Sequence, residues 1–215
     1  MGAVELIKLA ILGGVWLSLL YSAAVMPATI WVIQLTVSRR WPSGLAGGLG
    51  LALGQLPWCL AASLLLLQFP VFWQAADHWI RAAAVLFLVW MAVRSARARP
   101  VAAIRLTVEG SNWGIFQASL WRSLVMPWRL ALWAALIISI GVHLRGPGWM
   151  AACLFSVGCV LGQLAWHLHF IIVAALFGKR VPEDISLHSM NKLRLLATLV
   201  LGGLVLIIIA PIALT

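Results

Sequence analysis

The sequence predicts an all-α integral membrane protein of six transmembrane helices, built as two inverted three-helix repeats with helices 1 and 4 broken at proline. Three observations predict it: a composition too apolar for a soluble domain, six apolar runs, and an internal repeat with an odd number of runs in each half. The 215 residues are 64% hydrophobic and 9% charged, with a mean hydropathy of +1.06. A soluble domain is about a quarter charged. Fifteen Lys and Arg face five acids, for a net charge of +10. On so apolar a chain that excess reads as membrane topology rather than as a nucleic-acid footprint, and nucleic-acid binding is set aside.

A hydrocarbon core needs about 20 apolar residues of helix, and the runs lie at about 9 to 37, 44 to 69, 79 to 93, 114 to 143, 148 to 177 and 195 to 214. They group into a single membrane domain over 1–215: repeat 1 at about 9–93, a cytoplasmic loop at about 94–113, and repeat 2 at about 114–214. The first run continues unbroken to Val37 and is far longer than the apolar region of a signal peptide. Cys59, Cys153 and Cys159 all fall inside apolar runs, without zinc-site spacing, and read as packing residues.

Orientation follows from where the bases fall, because Lys and Arg near span ends stay on the cytoplasmic side. Ten of the fifteen gather on one side, from Arg39 to Arg194, while Lys8, Arg81 and Arg145 fall on the other, and Arg122 and Arg129 lie within the fourth run. Both termini are expected on the non-cytoplasmic side. Trp41, Trp73, Trp79, Trp113 and Trp149 lie near span ends and fit an interfacial belt. The remaining Trp residues are expected to pack inside.

The repeat is carried by two sets of identities, each at its own fixed offset. Gly50, Leu53, Gly54, Gln55, Leu56, Trp58 and Leu60 recur 108 residues later as Gly158, Leu161, Gly162, Gln163, Leu164, Trp166 and Leu168. Val25-Met26-Pro27 recurs 100 residues later as Val125-Met126-Pro127. Three spans per half force the second half to enter the membrane from the opposite side, which makes the repeat inverted.

Each conserved feature of the repeat has a physical consequence. Proline in mid-span removes a donor and crowds the carbonyl four residues back, so Pro27 frees the carbonyl of Ala23 and Pro127 that of Ser123. Freed groups survive in lipid only where protein or a water-filled cavity covers them. The pairs Gly50/Gly54 and Gly158/Gly162 have the spacing that lets two helix backbones approach closely. Gln55 and Gln163 must face another helix or a cavity, and His167, one turn after Gln163, is the candidate for proton chemistry, with His169 pointing elsewhere. Arg122 and Arg129 are the most demanding residues, since no acid lies inside any run. They are left with freed carbonyls near Pro127, a lipid phosphate, or an anionic group on a ligand.

Several segments together resemble the LysE/RhtB (lysine exporter / homoserine-lactone exporter) family of small multipass efflux proteins. Residues 44 to 54, GLAGGLGLALG, have that family's Gly spacing, and Val25-Met26-Pro27 stands where the family has Pro-Gly-Pro. Residues 80 to 92, IRAAAVLFLVWMA, resemble its third helix, with Arg81 at a usual Lys, Ala84 at a Gly and Phe87 at a Tyr. Residues 116 to 128, FQASLWRSLVMPW, fit the segment that ends Asn-Pro-Lys. The chain departs from both signatures: only the second proline of Pro-Gly-Pro survives, as Pro27, with Ala28 after it where an acid or amide is common, and of Asn-Pro-Lys only Pro127 remains, flanked by Met126 and Trp128. Arg129 lies one residue beyond the position of that Lys, a displacement of about 100° around a helix.

The resemblance implies a bacterial-type inner (plasma) membrane transporter that exports small amino-acid-like solutes by alternating access. On that reading Pro27 and Pro127 are hinges, and the cavity residues are Arg129, Arg122, Gln55, Gln163 and His167. The alternative is a non-transporting structural or assembly subunit of a larger membrane complex built on the same fold. Membrane lipids are the expected surroundings, a small solute the expected ligand, and a homodimer or an association with other subunits stays open. An enzyme is not expected: the sequence has no Ser/His/Asp set, no phosphate-cradling Gly loop followed by Lys, and no metal-ligand cluster, and no cofactor is implied.

Overall fold

The computed structural model describes residues 3–68, 77–97, 110–140, 148–178 and 183–213, and among these every regular element is helical. In chain order the helices are α1 (Ala3–Ala24), α2 (Met26–Arg39), α3 (Trp41–Leu53), α4 (Leu56–Gln68), α5 (Asp77–Arg97), α6 (Asn112–Leu124), α7 (Trp128–Ile140), α8 (Gly148–Phe177) and α9 (Glu183–Ala213). Four stretches are long and apolar enough to cross a membrane: Ile7–Ala24, Trp41–Leu66 across α3 and α4, Trp149–Phe177 and Leu187–Ile207. The pair α6 and α7 makes a fifth, bent by 68°. The chain is thus an all-helical multipass membrane protein.

The breaks lie where the backbone chemistry puts them. Val25 separates α1 from α2, its N–H donating to the Tyr21 carbonyl at 2.9 Å, and Pro27 sits in the first turn of α2, where its missing donor costs nothing. The helix α6 starts on Ser111, whose hydroxyl accepts from the Gly114 N–H at 3.2 Å, and stops before Pro127. Beyond the stop, Arg129 N–H donates to the Met126 carbonyl at 3.1 Å and restarts the chain as α7.

A third break was not anticipated from the sequence. The span Trp41–Leu66 is interrupted at Gly54–Gln55, just before Pro57. There the Gln55 N–H bonds the Ala52 carbonyl at 3.1 Å, a short 3₁₀ link that leaves the Leu51 carbonyl available for another donor. The repeat-related position of Pro57 is Ala165, and α8 accordingly runs 30 residues without a break.

Two other boundaries differ from the sequence reading. The run at 79 to 93 becomes the 21-residue helix α5, which includes Asp77, Arg81, Arg94 and Arg97 and is not among the five apolar stretches. The last helix begins at Glu183 rather than near 195, so Lys192 and Arg194 lie inside it. Lys and Arg interrupt an apolar run but are good helix formers, so hydropathy underestimates such helices.

Packing is reciprocal between the two halves. A methyl group added at Gly50 or Gly54 would strike the Phe116 and Leu120 carbonyls and Ser123 of α6. Added at Gly158 or Gly162, it would strike the Ile11 and Val15 carbonyls and Ser18 of α1. Each half therefore lends its Gly face to the first helix of the other. Between these seams a core of Leu17, Tyr21, Cys59, Leu132, Trp133 and Phe155 joins α1, α4, α7 and α8. Leu88 and Leu201 tie α5 and α9 to it.

Many large apolar side chains face outward, as lipid requires. Leu9, Leu12 and Trp16 on α1, Leu86 on α5, Leu176 on α8 and Leu199 on α9 all face outward. Trp41, Trp79, Trp113 and Trp149 are exposed, and Trp73 lies outside the described residues. Trp16, Trp90 and Trp121, expected inside, are also exposed. They fall on faces of α1, α5 and α6 that no other described helix covers. Cys153 likewise faces out, whereas Cys59 and Cys159 are buried with their Sγ atoms 3.1 Å apart.

Candidate functional site

The bent junction of α6 and α7 brings a buried arginine into a polar cluster that α1, α3 and α4 complete. Arg129 is 2% exposed, and its Nη1 donates to the Ser123 hydroxyl across the break. Ser123 Oγ also accepts from Gln55 Nε2 at 3.1 Å and donates to the Leu51 carbonyl at 3.0 Å. The hydroxyl thus uses its one proton and both lone pairs. The carbonyl it reaches is the one set free by the 3₁₀ turn before Pro57.

Two indoles close the cluster. Trp58 Nε1 donates to the Ser123 carbonyl at 3.1 Å, the carbonyl whose usual helical donor Pro127 removes. Trp133 Nε1 donates to Gln55 Oε1 at 3.2 Å, and its ring stacks on Tyr21 with centroids 4.4 Å apart and planes 3° from parallel. Gln55 is thereby fixed in one amide orientation. The arginine is held by groups that are themselves held, which is what a positioned cation in a low-dielectric site requires.

Beside this cluster lies a cavity of about 280 Å³. It is bounded by the α1–α2 junction at Ala24, Val25 and Pro27 and by the α6–α7 junction at Met126, Trp128 and Arg129. Arg122, Arg94 of α5 and Arg194 of α9 complete the wall. The Arg122 guanidinium sits 5.1 Å over the ring of Trp31 and that of Arg129 sits 5.8 Å from the ring of Trp128. Arg194 donates to the Ser95 carbonyl at 3.4 Å and to Asn191 at 3.5 Å, which fixes α9 to the end of α5. Among the described residues lining the cavity there is no Asp or Glu.

The expected site residues therefore separate into two groups. Arg129 and Arg122 line the cavity, Gln55 stands behind Arg129 through Ser123, and Pro27 lies on the rim while Pro127 makes the turn that aims Arg129. Gln163 and His167 do not line it. They are 2% and 1% exposed on α8, where His167 faces Gly48 of α3. Both His167 nitrogens and Gln163 Oε1 are buried without a hydrogen-bond partner among the described residues, as is Arg129 Nε. His169 is exposed.

Sequence reasoning missed Ser123, Tyr21 and Trp133 behind the arginine, and Arg94 and Arg194 in the cavity wall. Ser119 and Ser123, four residues apart opposite the Gly50/Gly54 face, were the available signal for the first. Arg94 and Arg194 were assigned to membrane topology, and a charge count has no means of telling a base at a span end from one that turns inward.

Residues 19–208 match the family model for the LysE type translocator. No curated protein and no solved structure matches the chain significantly.

Proposed function

Because the chain belongs to the LysE type translocator family, being matched over residues 19–208, we propose that this membrane transporter is a secondary exporter of small amino-acid-like solutes. The observation that carries the proposal is Arg129: a buried cation, aimed into a cavity of about 280 Å³ by a broken helix and braced from behind by Ser123 and Gln55. A guanidinium at membrane depth needs partners in any role, but Arg129 lines open space and keeps its Nε without a hydrogen-bond partner among the described residues, which leaves it donors for a solute carboxylate.

The six-span inverted arrangement is part of the same proposal. The reciprocal Gly seams and the breaks at Val25 and at Pro127 support it, with α5 supplying the third span of the first half. In this arrangement the ends of α5 and α6 that carry Arg97 and Asn112 face the cytoplasm, and the cavity is in its inward-open state. Switching consists of one half rocking against the other about the two proline junctions, which carries Arg129 and its ligand toward the opposite face.

A scaffold built on this fold has no need of an open site, whereas Met126 and Trp128 line open space here, Trp128 also packing against the core. The experiment is efflux of labelled solutes from proteoliposomes. Arg129→Leu lowers efflux at least tenfold while the particle's native mass stays unchanged; undiminished efflux removes Arg129 from the transport path and favours the scaffold.

A further inference from the structure

The charge lining the cavity specifies more than a carboxylate. Four arginines line one space, the Arg94 guanidinium resting 5.3 Å over the ring of Trp90, and they come as two pairs from separate parts of the fold. Arg122 and Arg129 belong to the broken α6–α7 span, while Arg94 and Arg194 belong to α5 and α9, which the Arg194–Ser95 bond fastens together. None of the lining residues described is acidic. From these features, and resting on the exporter reading while replacing its amino-acid-like solute, we infer that the cavity selects a small solute with two negative charges, a dicarboxylate or a phosphate monoester, one anionic group for each arginine pair.

Consider what a zwitterionic amino acid would meet there. Its carboxylate finds partners, but its ammonium finds no carboxylate among the described lining residues. The next best receptor for an ammonium is an aromatic face. The two indoles in the wall, Trp31 and Trp128, already carry the guanidiniums of Arg122 and Arg129. A basic amino acid would bring a further cation into a wall of four. A dianion does the reverse, because each of its groups is offered planar, multiply donating partners that suit carboxylate and phosphate oxygens. The volume agrees: about 280 Å³ lies just under the range of about 300–1,000 Å³ that holds drug-sized ligands, so it fits a solute of a few carbons.

The shared chemistry also admits a lipid phosphate, so the test separates the two sources. Protein in neutral phosphatidylcholine nanodiscs is titrated with succinate, glycerol 3-phosphate, butyrate, L-leucine and L-lysine. Binding is read as a change in Trp fluorescence, since Trp31 and Trp128 border the site. Succinate and glycerol 3-phosphate are expected to bind at least tenfold more tightly than butyrate or either amino acid, with affinity falling as salt rises. Arg94→Gln and Arg194→Gln reduce succinate to the level of butyrate, while Arg94→Lys, which keeps the charge, retains most of the preference and excludes misfolding as the cause.

L-leucine or L-lysine binding as tightly as succinate overturns the dianion inference; the exporter reading then stands if that solute leaves loaded proteoliposomes. Phosphatidylglycerol that co-purifies in fixed ratio and abolishes succinate binding also overturns it, making the cavity a headgroup seat. Tight succinate binding without succinate efflux sustains the site and sinks the exporter reading.

Discussion

Ser123 is the residue on which the polar cluster turns. Its hydroxyl joins Arg129, Gln55 and the Leu51 carbonyl, and its own carbonyl holds Trp58. Ser123→Ala leaves three buried polar groups without their partner, at about 1–3 kcal/mol for each group left unpaired. The expected result is a clearly lower thermal midpoint in detergent together with weakened solute binding. Ser123→Thr, which keeps the hydroxyl, separates the two causes: a loss of stability as large as that of alanine would mean that packing, not hydrogen bonding, holds the site. At this scale the sequence was partly legible. Arg129 stood out because an ionisable group deep in an apolar run demands a reason, and Pro127 announced which carbonyl it would free. Ser123 did not stand out, since a serine in a helix is ordinary until its neighbours are known. His167 stood out for its chemistry yet lies off the cavity, because helical spacing gives a side chain's face but not what that face meets.

At the scale of elements, proline was a better guide than hydropathy. Pro27 and Pro127 mark two helix breaks, and the break before Pro57 escaped notice only because the matching position, Ala165, has none. Hydropathy placed α8 nearly to the residue but cut α9 short at its basic turn. The contact between α4 and α8 offers a direct check on the packing. Cys59 and Cys159 are buried with their sulfur atoms 3.1 Å apart, whereas Cys153 faces outward. Treatment of membranes with a copper–phenanthroline oxidant is expected to join Cys59 to Cys159 within one chain, seen by peptide mapping after proteolysis. A link from either of them to Cys153 instead would mean that α4 and α8 meet in another register.

For the whole molecule, composition was enough to place the chain in a membrane, and the offset identities marked the two Gly faces along which its helices pack. What stayed hidden was that the halves exchange their Gly faces, since a repeat shows which segments correspond and not which ones touch. The exchange predicts how the protein divides. Cut within 98–109, the two fragments should be degraded when made singly and should recover a common native mass when made together. A stable, monodisperse first fragment would show that its Gly face is covered from within.

That same exchange sets an order of events during synthesis. When the ribosome has released the first three helices, the seam around Gly50 and Gly54 has nothing against it, because its cover, α6, has not yet been made. The face of α1 that will receive Gly158 and Gly162 waits longer still, until α8 arrives. The nascent chain is therefore held open from α1 until α8 arrives, and the insertion machinery, rather than the chain's own packing, has to keep those backbones from lipid and from neighbouring chains during that interval.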